Sequence, residues 1–137
     1  MSTVLSPQDA LVAVMVAVSA ADESQPMSEL LLIDRLIDAL PCFHDYDKDR
    51  VRGVSNIVEE LFSEEDGLDA LLGLVADALP ERFNETAYVL ACDIVAHDGT
   101  ARMAELKFLE MLRHDLRVGR LAAAAIERAA RAKHQRF

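Results

Sequence analysis

Acidic side chains that could bind a metal ion occur in two short stretches of this 137-residue chain. Asp22 is followed seven residues later by Glu29, and Asp98 is followed by Glu105 at the same spacing. Hard divalent cations such as Ca²⁺ and Mg²⁺ are bound by several oxygen ligands, which carboxylates supply. If each Asp ends one helix and each Glu lies in the next, the two carboxylates can face each other across a helical hairpin. The spacing therefore predicts a site for Ca²⁺ or Mg²⁺ in each stretch.

Two further residues extend the second stretch. Asp93 lies within residues 89–96, where the other seven side chains are apolar, and an unpaired carboxylate is costly to bury in such surroundings. His97 follows four residues later and falls on the same face of a helix. A histidine ligand would shift the preference toward Zn²⁺. The complete candidate metal set is Asp22, Glu29, Asp93, His97, Asp98 and Glu105.

The same acids also have a purely structural interpretation. An Asp between two helices is an effective N-cap, and a Glu in the first turn of a helix interacts favourably with the helix dipole. Asp93 could reach solvent or pair with Arg102 or Lys107, and His97 could be an ordinary hairpin residue. The sequence leaves the metal-binding and structural interpretations open.

Proline, glycine and capping residues divide the chain into about seven helices and no strands. Ser6, Pro7 and Asp9 mark a capped start for the first helix. An apolar stripe in the second helix contains Leu30, Ile33, Leu36, Ile37 and Leu40. The predicted helices cover residues 7–21, 27–39, 47–62, 63–79, 81–97, 103–116 and 119–133. We therefore expect an all-α fold, a compact bundle forming one domain over residues 1–137.

The two acidic stretches belong to an internal repeat. A shift of 76 residues places Ala20, Asp22, Met27, Glu29 and Leu30 on Ala96, Asp98, Met103, Glu105 and Leu106 without a gap. The half-repeats span about residues 7–40 and 81–116. Two copies of one helical hairpin predict a bundle with approximate two-fold internal symmetry.

The repeated pattern Ala-x-Asp, short loop, Met-x-Glu-Leu, in residues 20–30 and 96–106, resembles the tellurite-resistance TerB-like family. The resemblance covers nearly the whole chain. It implies a compact all-helical domain with a role in tellurite and other stress responses, and a divalent metal at the acidic half-motifs. On this basis we expect a non-enzymatic module that binds partner proteins through its helical surface.

Charge is distributed unevenly along the chain, whose formal net charge is −10. Residues 1–112 are strongly acidic, whereas residues 113–137 hold seven basic and two acidic side chains. In the predicted basic helix 117–133, one stripe contains Arg117, Arg120, Arg128 and Arg131, and another contains Leu121, Ala125, Ile126 and Ala129. The arginines could meet an anionic membrane surface or an acidic partner, or they could stabilise the C-terminal end of the helix. The overall acidity and the lack of aromatic residues on this face argue against a nucleic-acid partner.

Several other classes of function find no support in the sequence. The apolar run 10–21 lacks a preceding basic region and is too short to span a bilayer, so it predicts a core helix of a cytoplasmic protein. Cys42 and Cys92 are expected to be free thiols outside any catalytic set.

The acids of residues 45–49 do not begin an EF-hand loop, because Arg50 and Asn56 replace the required Gly and Glu, and they are expected to cap a helix. The alternatives to a metal-binding module are a metal-free adaptor domain or a metal-dependent enzyme, which would need a pocket beside the acids.

Overall fold

Helices account for most of the chain in the computed structural model, which describes residues 4–21, 27–97, 99 and 101–137. These residues form seven α-helices and two short 3₁₀ turns, Pro41–Phe43 and Glu81–Phe83, and they contain no strand. The predicted all-α class and the number of helices are confirmed. The helices are α1 Pro7–Ala20, α2 Met27–Ala39, α3 Arg50–Phe62, α4 Gly67–Ala78, α5 Asn84–Ala96, α6 Met103–Asp115 and α7 Arg120–Lys133.

Helices α1 and α5 form the centre of the bundle and pack against each other. Every residue from Asp9 to Ser19 is buried, so α1 is covered on all sides, as its apolar sequence predicts. Helix α5 is buried over Leu90–Val95. The remaining helices cover this pair: α2, α3 and α4 pack on α1, α7 packs on α5, and α6 contacts both central helices.

The internal repeat is visible in the helix bounds. Helices α1 and α5 end at Ala20 and Ala96, which are 76 residues apart. Helices α2 and α6 begin at Met27 and Met103 and have the same length of 13 residues. The same 76-residue shift that aligns the acidic residues therefore aligns the start and end of the second helix in each half.

Three predicted helix starts are wrong because turns precede the helices. Helix α3 begins at Arg50 instead of residue 47, and the Asp47 carboxylate accepts a hydrogen bond from the Asp49 backbone N–H at 2.9 Å within the preceding turn. Helix α4 begins at Gly67 instead of residue 63. A Cβ atom at position 67 would lie 1.7 Å from the Leu61 carbonyl oxygen, so the turn between α3 and α4 requires glycine. Residues 81–83 likewise form a 3₁₀ turn before α5 begins.

Most of the apolar stripe of the last helix does not lie against the core. Helix α7 buries Ala123 and Ala130, with Ile126 partly buried against the core, whereas Leu121 is 87% exposed. Ala125 and Ala129 are exposed as well, so the helix faces α5 with the side that carries Ala123 and Ala130. Arg117 lies before α7 in a left-handed backbone conformation with φ of 56° and does not belong to the helical arginine stripe.

The stripe predicted for α2 is largely correct. Ile33, Leu36 and Ile37 are buried and Leu40 is half-buried against the core. Leu30, by contrast, is 40% exposed. Its counterpart Leu106 in α6 is 46% exposed, so this repeated leucine is a surface residue in both halves.

A buried carboxylate joins the start of α1 to α3. Asp9 is 1% exposed, and its carboxylate accepts hydrogen bonds from the Arg50 guanidinium and from the Tyr46 hydroxyl at 2.8 Å. It also accepts the Ser6 backbone N–H at 3.0 Å, while the Ser6 hydroxyl accepts the Asp9 backbone N–H. Burial by itself raises the pKa of Asp9, but the hydrogen bonds from Arg50, Ser6 and Tyr46 outweigh it and lower the pKa to about 2.

Replacing Asp9 with Asn should change how stability depends on acidity. Because the folded-state pKa is lowered, the stabilisation from Asp9 is complete above about pH 4 and is lost as the pH falls through about 2. The gap in free energy of unfolding between wild type and Asp9→Asn should therefore shrink by about 2 kcal/mol between pH 6 and pH 2. Urea unfolding at several pH values measures this gap. The exposed Asp69→Asn is the control, and a gap for Asp9→Asn that stays constant with pH would contradict the assignment.

Candidate functional site

The two repeated glutamates occupy the same position in their helices. Glu29 and Glu105 are the third residues of α2 and α6, and each is only 1% exposed. Each therefore places a carboxylate beneath the surface at the start of a helix, directly after the connection that holds the predicted Asp ligand. The sequence predicts the equivalence of these two residues, but not their complete burial.

Both carboxylates are held by hydrogen bonds from nearby donors. The Ser19 hydroxyl near the end of α1 donates to Glu29 Oε1 at 2.8 Å in buried surroundings. The Arg102 backbone N–H donates to Glu105 Oε1 at 3.0 Å, which caps the start of α6. These bonds fix one oxygen of each carboxylate beside the connection between the two helices of its hairpin.

Asp22 and Asp98, the other two predicted hairpin ligands, lie outside the described residues. Among the residues that the structure describes, no three His, Cys, Asp or Glu side chains come together as a metal site. The pairing of Asp22 with Glu29 and of Asp98 with Glu105 therefore stays a prediction from sequence.

Asp93 binds other residues than the partners that the sequence suggested for it. Its side chain is 6% exposed, and its two oxygens are bound by the end of α7: Oδ2 lies 3.2 Å from Lys133 Nζ and Oδ1 lies 3.1 Å from His134 Nε2. The expected pairing partners, Arg102 and Lys107, are not the residues bound to it. The buried carboxylate thus anchors the C-terminal end of α7 to α5.

His97 belongs to the same contact region. Its half-buried ring meets the His134 ring edge to face, with the centroids 5.8 Å apart, and its backbone carbonyl accepts a hydrogen bond from Arg136 at 3.0 Å. Asp93 and His97 are therefore brought together by the end of α7. This contact spans about 40 residues of sequence, so no local pattern could have predicted it.

A cavity of about 470 Å³ lies between α5, α6 and α7 and extends to Gly99 and Ala101 beside the second hairpin connection. The enzyme alternative requires a pocket beside the acids, and none of the described candidate acids (Glu29, Asp93 and Glu105) lines this cavity. On its wall, the Tyr88 hydroxyl donates to Glu127 Oε2 at 2.6 Å. Burial, with the nearby Glu127 carboxylate, raises the pKa of the Cys92 thiol to about 12. This thiol is protonated at neutral pH and is not an activated nucleophile.

Changing Asp93 to Asn should loosen the end of α7, because Lys133 and His134 lose their charged acceptor. We expect the free energy of unfolding to fall by about 2 kcal/mol and amide hydrogen exchange to accelerate in residues 130–137. Lys133→Met is the matched variant and should cost less than about 1 kcal/mol, since Lys133 is half-exposed. Unchanged exchange at the end of α7 in Asp93→Asn would show that the pair does not anchor this helix.

No described helix is long and apolar enough to cross a membrane. No family model, curated protein or solved structure matches this chain.

Proposed function

We propose that this chain is a non-enzymatic helical module that binds divalent cations at its two hairpin connections and presents helical surface to partner proteins. One site would use Asp22 and Glu29, and the other would use Asp98 and Glu105. Ca²⁺ and Mg²⁺ are the ions that suit these oxygen ligands. The resemblance to the tellurite-resistance TerB-like family adds a role in stress response to this proposal.

The observation that carries the proposal is the matched burial of Glu29 and Glu105. Both are 1% exposed at the third position of helices that begin 76 residues apart, and each follows an Asp by seven residues. A carboxylate in an apolar environment is costly without compensation. The chain compensates this cost with hydrogen bonds at the same place in both halves, from Ser19 to Glu29 and from the Arg102 backbone to Glu105. In each half a second carboxylate lies nearby in sequence.

Asp93 and His97 are not part of this proposal. Both Asp93 oxygens are bound by Lys133 and His134, and the His97 ring contacts the His134 ring. A cation at Asp93 would have to displace a lysine ammonium that already neutralises the carboxylate. With His97 outside the ligand set, the preference for Zn²⁺ that a histidine would bring is also removed.

A metal-free adaptor domain is the second candidate function. It is favoured by the hydrogen bond from the Arg102 backbone N–H to Glu105, which is an ordinary helix cap. In this alternative the glutamates only fix the hairpins, and the helical surface is the functional part. For either candidate we infer a cytoplasmic location from the two free thiols, Cys42 and Cys92.

Thermal unfolding of chelator-treated protein, with and without Ca²⁺, Mg²⁺, Mn²⁺ or Zn²⁺, separates these candidates. An ion at 100 times its dissociation constant should add about 2.7 kcal/mol, which is a rise in Tm of about 10 °C for a chain of this size. In the double variant Asp98→Asn, Glu105→Gln the contribution of the second site should vanish. Glutamine also serves in a capping box, so Glu105→Gln by itself keeps the cap while removing the charge.

Two comparisons make the test specific. Glu110→Gln removes an exposed charge from the same helix and should leave the cation-dependent rise unchanged. Glu29→Gln should remove only the contribution of the first hairpin. If no ion raises Tm, or if the rise persists in the variants at both hairpins, the cation proposal is wrong and the adaptor function is the one supported.

A further inference from the structure

A surface groove of about 700 Å³ runs beside the end of α1 and between α3, α4 and α6. Its floor is apolar and includes Phe62, Leu68 and Phe108. Its rim carries Glu59, Glu64 and Glu65, and none of the described residues that line it is basic. The groove therefore combines an apolar floor with an acidic rim.

The rim carboxylates are exposed, and within the described part of the chain none of the three has a salt-bridge partner. Phe62 and Leu68 are only partly buried. Burial of this floor by an apolar side chain would be favourable, and the rim would select a partner with positive charges beside that side chain.

The outward face of α7 carries the complementary groups. Leu121 is 87% exposed, and Arg128, seven residues later, lies on the same side of the helix, opposite the buried Ala123 and Ala130. Arg120 is exposed beside them. Within the described residues neither arginine has a carboxylate within salt-bridge distance.

We propose that the acidic groove of one molecule binds the first half of α7 from a second copy of this chain. Leu121 would lie on the floor beside Phe62 and Leu68, and Arg120 and Arg128 would pair with the rim glutamates. Helix α7 packs on α5, whereas the groove lies among α1, α3, α4 and α6, so the two surfaces belong to different parts of one molecule. The contact is heterologous and joins molecules head to tail.

This contact is independent of the cation sites. The net charge of −10 makes two molecules repel each other in most orientations, so association depends on bringing the basic helix to the acidic groove. Charge reversal on either surface should weaken this association. Mixing a molecule whose groove is reversed with a molecule whose α7 is reversed should restore the association, because the two reversed surfaces again carry opposite charges.

Sedimentation velocity over a concentration series, at one fixed physiological salt concentration, tests the proposal with the full chain. Wild type should form larger species as its concentration rises. The groove variant Glu64→Lys, Glu65→Lys and the helix variant Arg120→Glu, Arg128→Glu should each raise the dissociation constant at least about tenfold, or about 1.4 kcal/mol. An equimolar mixture of the two variants should associate again. Asp77→Lys, Glu81→Lys reverses two exposed charges outside the groove and should associate like wild type.

Two results would overturn the proposal. The first is a wild-type chain that stays monomeric up to about 1 mM. If the arginines of that monomer bind vesicles of anionic phospholipid, the outward face of α7 is a membrane surface instead. The second is a mixture of the groove and helix variants, both folded by circular dichroism, that fails to associate.

Discussion

The packing of α1 against α5 is the constraint on which the rest of the structure depends. Both helices lie in the core, and α1 is buried on every side from Asp9 to Ser19. A helix in such surroundings pairs its backbone N–H and C=O groups with each other through hydrogen bonds. Polar side chains can then be accommodated mainly at its ends. This explains why polar and charged groups concentrate where the central helices begin or end. Asp9 and Ser6 lie at the start of α1, and Ser19 lies near its end, beside the first hairpin connection.

The buried acids of this chain have distinct structural tasks. Asp9 joins α1 to α3 through Arg50, and Asp93 joins α5 to the end of α7 through Lys133 and His134. Each of these two carboxylates fixes an outer helix on a central one. Glu29 instead joins the start of α2 to the end of α1 through Ser19, whereas Glu105 caps the start of α6 through the Arg102 backbone N–H. The repeated pair therefore lies beside the connections where the proposed cations would bind, while Asp9 and Asp93 fix the surrounding helices.

The sequence predicts the helices well wherever local patterns decide their extent. The bounds of α2 are correctly predicted, and α6 ends within one residue of its prediction, because the repeat and the flanking prolines and loops mark them. The start of α4 could not be predicted, since residues 63–66 have the composition of a capped first turn. Only the close approach of Gly67 to the Leu61 carbonyl makes them a separate turn. The face of α7 also escaped prediction, because alanines on all sides of this helix leave the choice to its packing against α5.

The candidate site was predictable in part for the same reason. The spacing of Glu29 and Glu105 is local and repeated, so the sequence shows their equivalence, whereas the partners of Asp93 lie about 40 residues away.

The two hairpins nevertheless have different surroundings. Ala20 and Ala21, at the end of α1, border the acidic groove, whereas Gly99 and Ala101 border the cavity between α5, α6 and α7. Two cations bound at equivalent positions of the repeat would thus lie next to different surfaces, one beside the acidic groove and the other beside this cavity. The halves share the bounds of the second hairpin helix, but α3 and α4 cover one central helix and α7 covers the other. The two hairpins of the repeat therefore differ in the helices that pack around them.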